Sequence, residues 1–466
     1  MDKTKNVSQE DPCLVLEKVC GLDVHKKTCT AAIVSDGKPP IVMEDLENNG
    51  PGMSHLYQRL VKDGCSTVVM ESTGPYWMGA YDYLELRGIK AVLICPRSMK
   101  AIKGKKNDEN DAIWLAHLYR LGLVEPSYVP PRHIRELRSL TRRLEKLGYM
   151  ITRMKLSIQS QIDAFSTGIT TIYTDPFGLG GTKIIRTLAQ QMSQGDRRED
   201  GSGIGIDVDS VISQLKEEGL PADKVEHVEK MLRLSFDPTS NGWLIEQGLE
   251  TLQALREQRD RVLDRVAKHI RQFRDLSRYV GILLSISGID MVSAATIMAE
   301  MGDPTRFQDG KALSSYFGLV PSVEQSGPKT VLGRITKRGS PHMRRILCQV
   351  AQVTATKGAE HLKTWYAHVK TRRGSKKAIV ALGRKILVIS WAMLRDNTTF
   401  QDPDQPEQTH QPTALHRHKL RAMVERAQRS AKTISVWEAI HHLSTDQKLR
   451  TELGLITIKP TTQKPA

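Results

Sequence analysis

The chain has 466 residues, of which 39% are hydrophobic and 26% are charged, so it is long enough for two or three globular domains with ordinary cores. Its net charge of +16 favours a polyanionic partner, and its six cysteines, without a Cys-x-x-Cys pair, exclude a disulfide framework and a zinc site. No apolar run approaches the roughly 20 residues that span a bilayer, and no secretory signal opens the sequence, so we expect a cytosolic protein without membrane contacts.

The first part of the chain alternates strands and helices in a way that predicts an α/β layer fold. After a flexible arm at 1–16, apolar runs predict three successive strands, at 19–23, 30–34 and 40–46. Helices and strands then alternate: helices are predicted at 52–62 and 76–87, and strands at 67–70 and 91–94. We expect these elements to form one domain over 17–128.

Four carboxylates stand at positions where they can converge. Asp23 and Glu71 each end a predicted strand, and functional groups collect beyond strand ends in α/β sheets. Asp108 and Asp111 lie three residues apart at the start of a predicted helix, so they share one helix face. Four acids in one cleft need divalent cations, and Mg²⁺ or Mn²⁺ takes hard oxygen ligands. The alternative for the helical pair is a solvated helix start, where acids are common.

Three lysines precede the helical pair and suit a phosphate chain: Lys103, Lys105 and Lys106.

Two later stretches have heptad spacing, which predicts an antiparallel coiled-coil hairpin over 129–278. The first seam is Leu137, Leu140, Leu144, Leu147, Ile151, Met154, Ile158 and Phe165; the second is Ile245, Leu249, Leu252, Leu263, Val266, Ile270 and Phe273. Arg256 and Arg259 fall on the second seam, so we expect a local shift to Leu255 and Val262. A Gly- and Asp-rich insertion at 166–242 separates the stretches, with short helices predicted at 211–218 and 222–234.

The sequence of residues 279–400 predicts a compact, mostly helical domain with two turns that could bind or cut DNA. Gly288 lies in a helix–hairpin–helix-like turn, which either binds DNA phosphates through backbone N–H groups or is an ordinary corner between helices. Ser326 precedes a glycine in a predicted loop beside several cations and could attack a phosphodiester; a plain turn is the alternative. The cations that could hold phosphate here are Lys329, Arg334, Lys337, Arg338, Arg344 and Arg345. A linker and a basic helical tail follow at 401–466.

Many motifs in order resemble the DEDD-type insertion-sequence transposases, the "one-ten" family of bridge-RNA-guided serine recombinases. They cover roughly residues 17–400 outside the insertion. They include Gly21-Leu22-Asp23, Glu71-Ser72-Thr73-Gly74-Pro75, Asn107-Asp108-Glu109-Asn110-Asp111, Ala299-Glu300-Met301-Gly302-Asp303, Gln325-Ser326-Gly327 and Lys337-Arg338-Gly339.

The resemblance implies an RNase H-like (RuvC-like) N-terminal domain, a coiled coil and a transposase domain. It implies that Asp23, Glu71, Asp108 and Asp111 hold Mg²⁺ (or Mn²⁺). It also implies that Ser326 is the nucleophile of a 5′-phosphoserine intermediate. The implied partners are double-stranded DNA from the element ends and the target, an element-encoded guide RNA, and further copies of the chain in a dimer or tetramer. The implied location is the bacterial or archaeal cytosol, at the nucleoid.

Two other functions would use only part of these features. A RuvC-like nuclease would use the carboxylates with water as nucleophile, and a non-catalytic scaffold would only bind RNA or DNA. For the insertion at 166–242 and the tail at 401–466, which are longer than the family pattern, RNA binding and oligomer contacts are both open interpretations.

Overall fold

The computed structural model describes residues 16–72, 74–95, 108–166, 168–194, 206–235, 242–326 and 329–402. The chain forms two compact units, Met1–Arg132 and His133–Ala466. Most of the predicted arm at 1–16 and of the predicted tail at 401–466 lies outside the described residues.

The first unit is built on a six-stranded mixed sheet with the order β3-β2-β1-β4-β5-β6. Strands β1, β2 and β3 are antiparallel neighbours, whereas β1, β4 and β5 run parallel and the short β6 is antiparallel to β5. The elements are β1 (Lys18–Val24), β2 (Thr28–Ser35), β3 (Ile41–Glu47), α1 (Gly50–Lys62), β4 (Thr67–Glu71), α2 (Trp77–Glu85), β5 (Lys90–Ile94), α3 (Asp108–Arg120) and β6 (Pro126–Ser127). Among the described residues of this unit, the predicted succession of elements is confirmed, and only the two-residue β6 was not predicted.

Both faces of this sheet are covered by helices. On one face, Leu22 and Met70 share a core with Leu56 of α1 and Leu84 of α2. On the other face, Val19, Val34 and Val69 share a core with Leu115 and Leu118 of α3. The central strands are therefore buried on both sides, which explains their nearly continuous apolar sequence.

Two long helices dominate the second unit: α4 (Arg132–Asp163) and α8 (Gly242–Gln272). They run antiparallel, since His269 Nε2 lies 2.8 Å from the His133 carbonyl oxygen and Arg143 donates to Gln258 at 3.3 Å. Most predicted seam residues are buried, and of the two residues in the predicted local shift Leu255 is buried and Val262 is half-buried. Arg256 instead donates to the carbonyl oxygen of Phe177.

The insertion between the long helices is itself helical. It contains a 3₁₀ turn (Ile169–Thr171), α5 (Leu179–Gln194), α6 (Val208–Glu217) and α7 (Ala222–Arg233). The helices α6 and α7 match the two predicted pieces, whereas α5 was not predicted. The glycines Gly180 and Gly181 obscure its start in the sequence, but they allow close contact with Tyr173 and Pro176.

The described remainder of the second unit, up to residue 402, is helical apart from one hairpin. The helices are α9 (Arg274–Leu284), α10 (Met291–Met301), α11 (Gly310–Tyr316), α12 (Pro341–Lys357), α13 (Glu360–Arg373) and α14 (Ser375–Asp396), with a 3₁₀ turn at Pro304–Arg306. The strands β7 (Pro321–Ser326) and β8 (Lys329–Ile335) form a two-stranded antiparallel hairpin. The prediction of a loop around Ser326 was therefore wrong. In the described part of the chain, no helix is long and apolar enough to cross a membrane.

Candidate functional site

Asp23 and Glu71 lie at the carboxyl ends of two neighbouring parallel strands. The β1–β4 register pairs Gly21 with Val69 and ends at Leu22 and Met70, so the two acids stand one residue beyond the last pair. Their Cα atoms are therefore roughly one strand spacing apart, about 4.8 Å. Side chains alternate along a strand, so both acids lie on the sheet face that carries Gly21 and Val69, which is the face covered by α3.

Helix α3 approaches that face very closely because residue 21 is a glycine. A Cβ at Gly21 would lie 1.9 Å from the Ala112 carbonyl oxygen. At the other end of α3, Arg120 Nη2 lies 3.3 Å from Asp36 Oδ1. Asp36 directly follows β2 and therefore lies beside the start of β1. The helix thus runs antiparallel to β1, which brings its first turn to the end of β1 where Asp23 lies.

That first turn contains the other two predicted acids. Asp111 is half-buried and lies on the same helix face as Leu115 and Leu118, both of which face the sheet. Asp108 begins the helix, but its side chain lies outside the described set, as do Lys103, Lys105 and Lys106. Among the described side chains, no three His, Cys, Asp or Glu residues are placed to hold a metal ion. Strand register and helix direction nevertheless place Asp23, Glu71 and Asp111 at the same end of one sheet face, although their side chains are not close enough together to form a metal site.

The ligand chemistry of this region fits a hard divalent cation. Its acidic groups are carboxylates, whose oxygens Mg²⁺ and Mn²⁺ prefer. The neighbouring thiol of Cys29 stays protonated, because burial and then the charge of Asp23 raise its pKa to about 11. His25 was not predicted as a site residue, and its Nε2 lies 3.2 Å from Asp23 Oδ2.

Ser326 is the last residue of β7 and pairs with Lys329, the first residue of β8, at the tip of the hairpin. The side chains of both residues lie outside the described set. Ser322, the other serine of this segment, lies at the base of the hairpin. Its Oγ occupies the space beside Gly333, 2.3 Å from where a Cβ at that position would lie.

The predicted phosphate-binding cations near the hairpin fall into two groups. Arg334, Lys337 and Arg338 are exposed. Arg344 instead donates from Nη1 to the carbonyl oxygens of residues 317, 338 and 339, and Arg345 Nε lies 2.7 Å from Glu145 Oε1. The second group is engaged in holding the fold, so its role in binding phosphate stays a prediction.

Gly288 has a packing role in the turn between α9 and α10. Its φ of +104° lies in the region that favours glycine, and a Cβ would lie 2.7 Å from Thr354 Oγ1. Asp290 caps α10 by accepting from the backbone N–H of Ser293 at 2.7 Å. These contacts account for the turn as a corner between helices, and phosphate binding there stays a prediction.

Comparison with known families gives two matches in separate parts of the chain. A model of the DEDD transposases of IS110 matches residues 20–166, and a model described as the IS116/IS110/IS902 transposase family matches residues 280–367. The first match contains all four predicted acids, and the second contains Gly288 and Ser326.

Individual relatives agree with these matches. The chain is 34% identical over 124 residues to the transposase for insertion sequence element IS1111A of Coxiella burnetii, covering 25% of this chain and 33% of the relative. It is 29% identical over 128 residues to a pilin gene-inverting protein of Moraxella bovis, covering 27% and 40%. The protein y4qE of Sinorhizobium fredii is 22% identical over 82% of this chain and 89% of its own length. The chain thus spans less than half the length of the first two of these relatives.

Proposed function

Since this chain belongs to the IS116/IS110/IS902 family of transposases, we propose that it cuts and rejoins DNA strands to mobilise an insertion sequence. One observation carries the proposal. Asp23 and Glu71 lie at the ends of adjacent parallel strands, and the first turn of α3, which contains Asp108 and Asp111, lies over the same end of that sheet face. This order of strands, three antiparallel and two more in parallel, also supports an RNase H-like fold for the first unit.

The four acids Asp23, Glu71, Asp108 and Asp111 would hold Mg²⁺ or Mn²⁺. When bound, such ions orient a phosphodiester and offset the charge that develops on its oxygens. His25 would hold the Asp23 carboxylate in place, because a metal ligand that also contacts a second side chain keeps its orientation.

Ser326 would be the nucleophile. Its Oγ attacks the phosphorus, the bond from phosphorus to the 3′ oxygen breaks, and the 3′ hydroxyl leaves with the proton while the 5′ phosphate stays on the serine. The position of Ser326 at the hairpin tip supports this role over Ser322, which lies at the base of the hairpin beside Gly333. The exposed cations Arg334, Lys337 and Arg338 would hold the DNA backbone.

The family resemblance supports two further parts of the proposal, and the net charge of +16 is consistent with the nucleic-acid part. An element-encoded guide RNA would select the target and donor DNA, and the chain would act as a dimer or tetramer. The two long antiparallel helices of the second unit would form a coiled coil.

Covalent adduct formation tests the serine. Ser326→Ala should abolish protein–DNA adducts and leave nucleic-acid binding intact, whereas Ser322→Ala, the matched control on the same strand, should keep the adducts. Adducts that persist in Ser326→Ala would overturn the assignment of the nucleophile. Free 5′-phosphate ends without any adduct would favour a nuclease that uses only the carboxylates. An Asp108→Asn variant with every activity unchanged would favour a non-catalytic scaffold.

A further inference from the structure

The ladder of hydrogen bonds between β1 and β4 holds the strands of Asp23 and Glu71 side by side, but it does not reach the two acids or the turns that follow them. Each acid is paired on its outer side, Asp23 with Thr30 of β2 and Glu71 with Ile94 of β5. The ladder between their own strands, β1 and β4, ends one residue earlier at Leu22 and Met70. The two turns that follow the acids therefore leave the sheet side by side, and their separation depends on contacts beyond the ladder.

Asn48 bridges these two turns from a third element. It lies between β3 and α1, and its Nδ2 donates to the carbonyl oxygen of His25 at 2.9 Å and to that of Tyr76 at 3.3 Å. Its backbone N–H also donates to the Lys27 carbonyl oxygen at 2.8 Å. One side-chain amide thus links the turn after Asp23 to the turn after Glu71.

The chemistry of the bridge requires an amide nitrogen. Both acceptors are backbone carbonyl oxygens, which cannot donate, so both hydrogens of the Asn48 amide are used and its orientation is fixed. An aspartate has the same shape but would turn an oxygen towards two carbonyl oxygens. Alanine would simply leave the two turns unlinked.

We propose that Asn48 is a positioning residue that holds together the turns after Asp23 and Glu71 and thereby raises the affinity of the carboxylate site for a divalent cation. This inference rests on the proposed function, because it assumes that these acids hold the cation. Since His25 also contacts Asp23 through its ring, the bridge to the His25 backbone acts on a residue that already orients one ligand.

The experiment measures Mn²⁺ binding to the full chain by calorimetry for Asn48→Ala and Asn48→Asp. Supporting residues behind metal ligands typically contribute 10- to 100-fold, so we expect about 10-fold weaker binding in Asn48→Ala and a larger loss in Asn48→Asp. Asn49→Ala is the matched control: Asn49 caps α1 by accepting from the Gly52 backbone N–H at 3.0 Å. It should lower the melting temperature and leave Mn²⁺ affinity unchanged.

A second readout needs no metal. Hydrogen exchange in the metal-free protein should become faster in the turns at 25–28 and 74–77 for both Asn48 variants, and should stay unchanged there for Asn49→Ala. Asn48 variants with unchanged Mn²⁺ affinity, or an equal loss of affinity in Asn49→Ala, would overturn the role of Asn48. Wild-type Mn²⁺ binding that Asp23→Asn does not alter would instead refute the carboxylate site, which separates the two failures.

Discussion

Arg142→Ala should destabilise the second unit by about 3 kcal/mol, because it removes the main partner of a buried carboxylate. Arg142 of α4 binds Glu300 of α10 through two parallel contacts, Nε to Oε1 at 2.9 Å and Nη2 to Oε2 at 3.1 Å. The Glu300 side chain is only 2% exposed, so the variant leaves a desolvated carboxylate without its main partner. Arg138 remains 3.8 Å from Oε2, which keeps the cost at the lower end of the range for broken buried pairs, about 3–5 kcal/mol.

The neighbouring Arg143 provides the matched control. It is exposed and donates to Gln258, so Arg143→Ala should change stability by no more than about 0.5 kcal/mol. Urea unfolding followed by hydrogen exchange in peptides from Met291–Met301 reports on this unit separately from the first. Equal unfolding of the two variants would refute the reasoning.

The pH dependence identifies charge as the cause. Burial by itself raises the pKa of Glu300, but the hydrogen bond from Arg142 and the charges of Arg138 and Arg142 outweigh it and hold the pKa below its usual value. The contribution of this carboxylate is therefore fully present above about pH 4.3, the unfolded value, and is lost as the pH falls through the folded pKa. The difference between wild type and Arg142→Ala should be largest near pH 7 and shrink towards acid. A difference independent of pH would show that lost packing, not charge, is responsible.

Two further substitutions test the packing and the electrostatics of other regions. Gly21→Ala should lower the free energy of unfolding of the first unit by about 3 kcal/mol in urea, because the new Cβ meets the Ala112 carbonyl oxygen. The control Gly79→Ala in α2, which has open space around it, should not destabilise this unit. Equal effects of the two substitutions would contradict the close approach of α3. The pKa of His133 is lowered by burial and, to a smaller extent, by the charge of His269. The neutral His133 ring therefore contributes stability above about pH 6.5, and this contribution is lost as the pH falls through the folded pKa. His133→Phe, which keeps the stacking on Phe273, should flatten the stability profile between pH 7 and 5, and an unchanged slope would exclude His133 as its source.

The sequence predicted the first unit well because its central strands are buried on both faces. A strand of this kind must stay apolar until it leaves the core, so the first carboxylate marks the end of the strand. Asp23 after Leu22 and Glu71 after Met70 are visible in this way. The predicted convergence of Asp23 and Glu71 followed from the same signal, since parallel strands end at one edge of a sheet.

Other parts of the site leave no such signal. The hairpin that carries Ser326 has exposed apolar residues, with Val323 58% and Val331 49% exposed, so the burial that produces strand periodicity is missing. Asn48 acts through backbone carbonyl oxygens 23 and 28 residues away in the chain, and a backbone acceptor is the same for any residue type. Sequence patterns record which side chains are buried, and neither feature depends on burial.

The insertion at 166–242 differs in charge from the rest of the chain, and this bears on its role. It contains 12 Asp and Glu against eight Lys and Arg, so it is negative within a chain of net charge +16. Its apolar side chains, among them Ile184 and Leu188, share one buried core with Ile158 and Ile245 of the two long helices. Affinity for nucleic acid depends on the number of cations that meet phosphates. We therefore expect that phosphate contacts come from the remainder of the chain, and we interpret the insertion as a structural element at the end of the helix pair and not as an RNA-binding one.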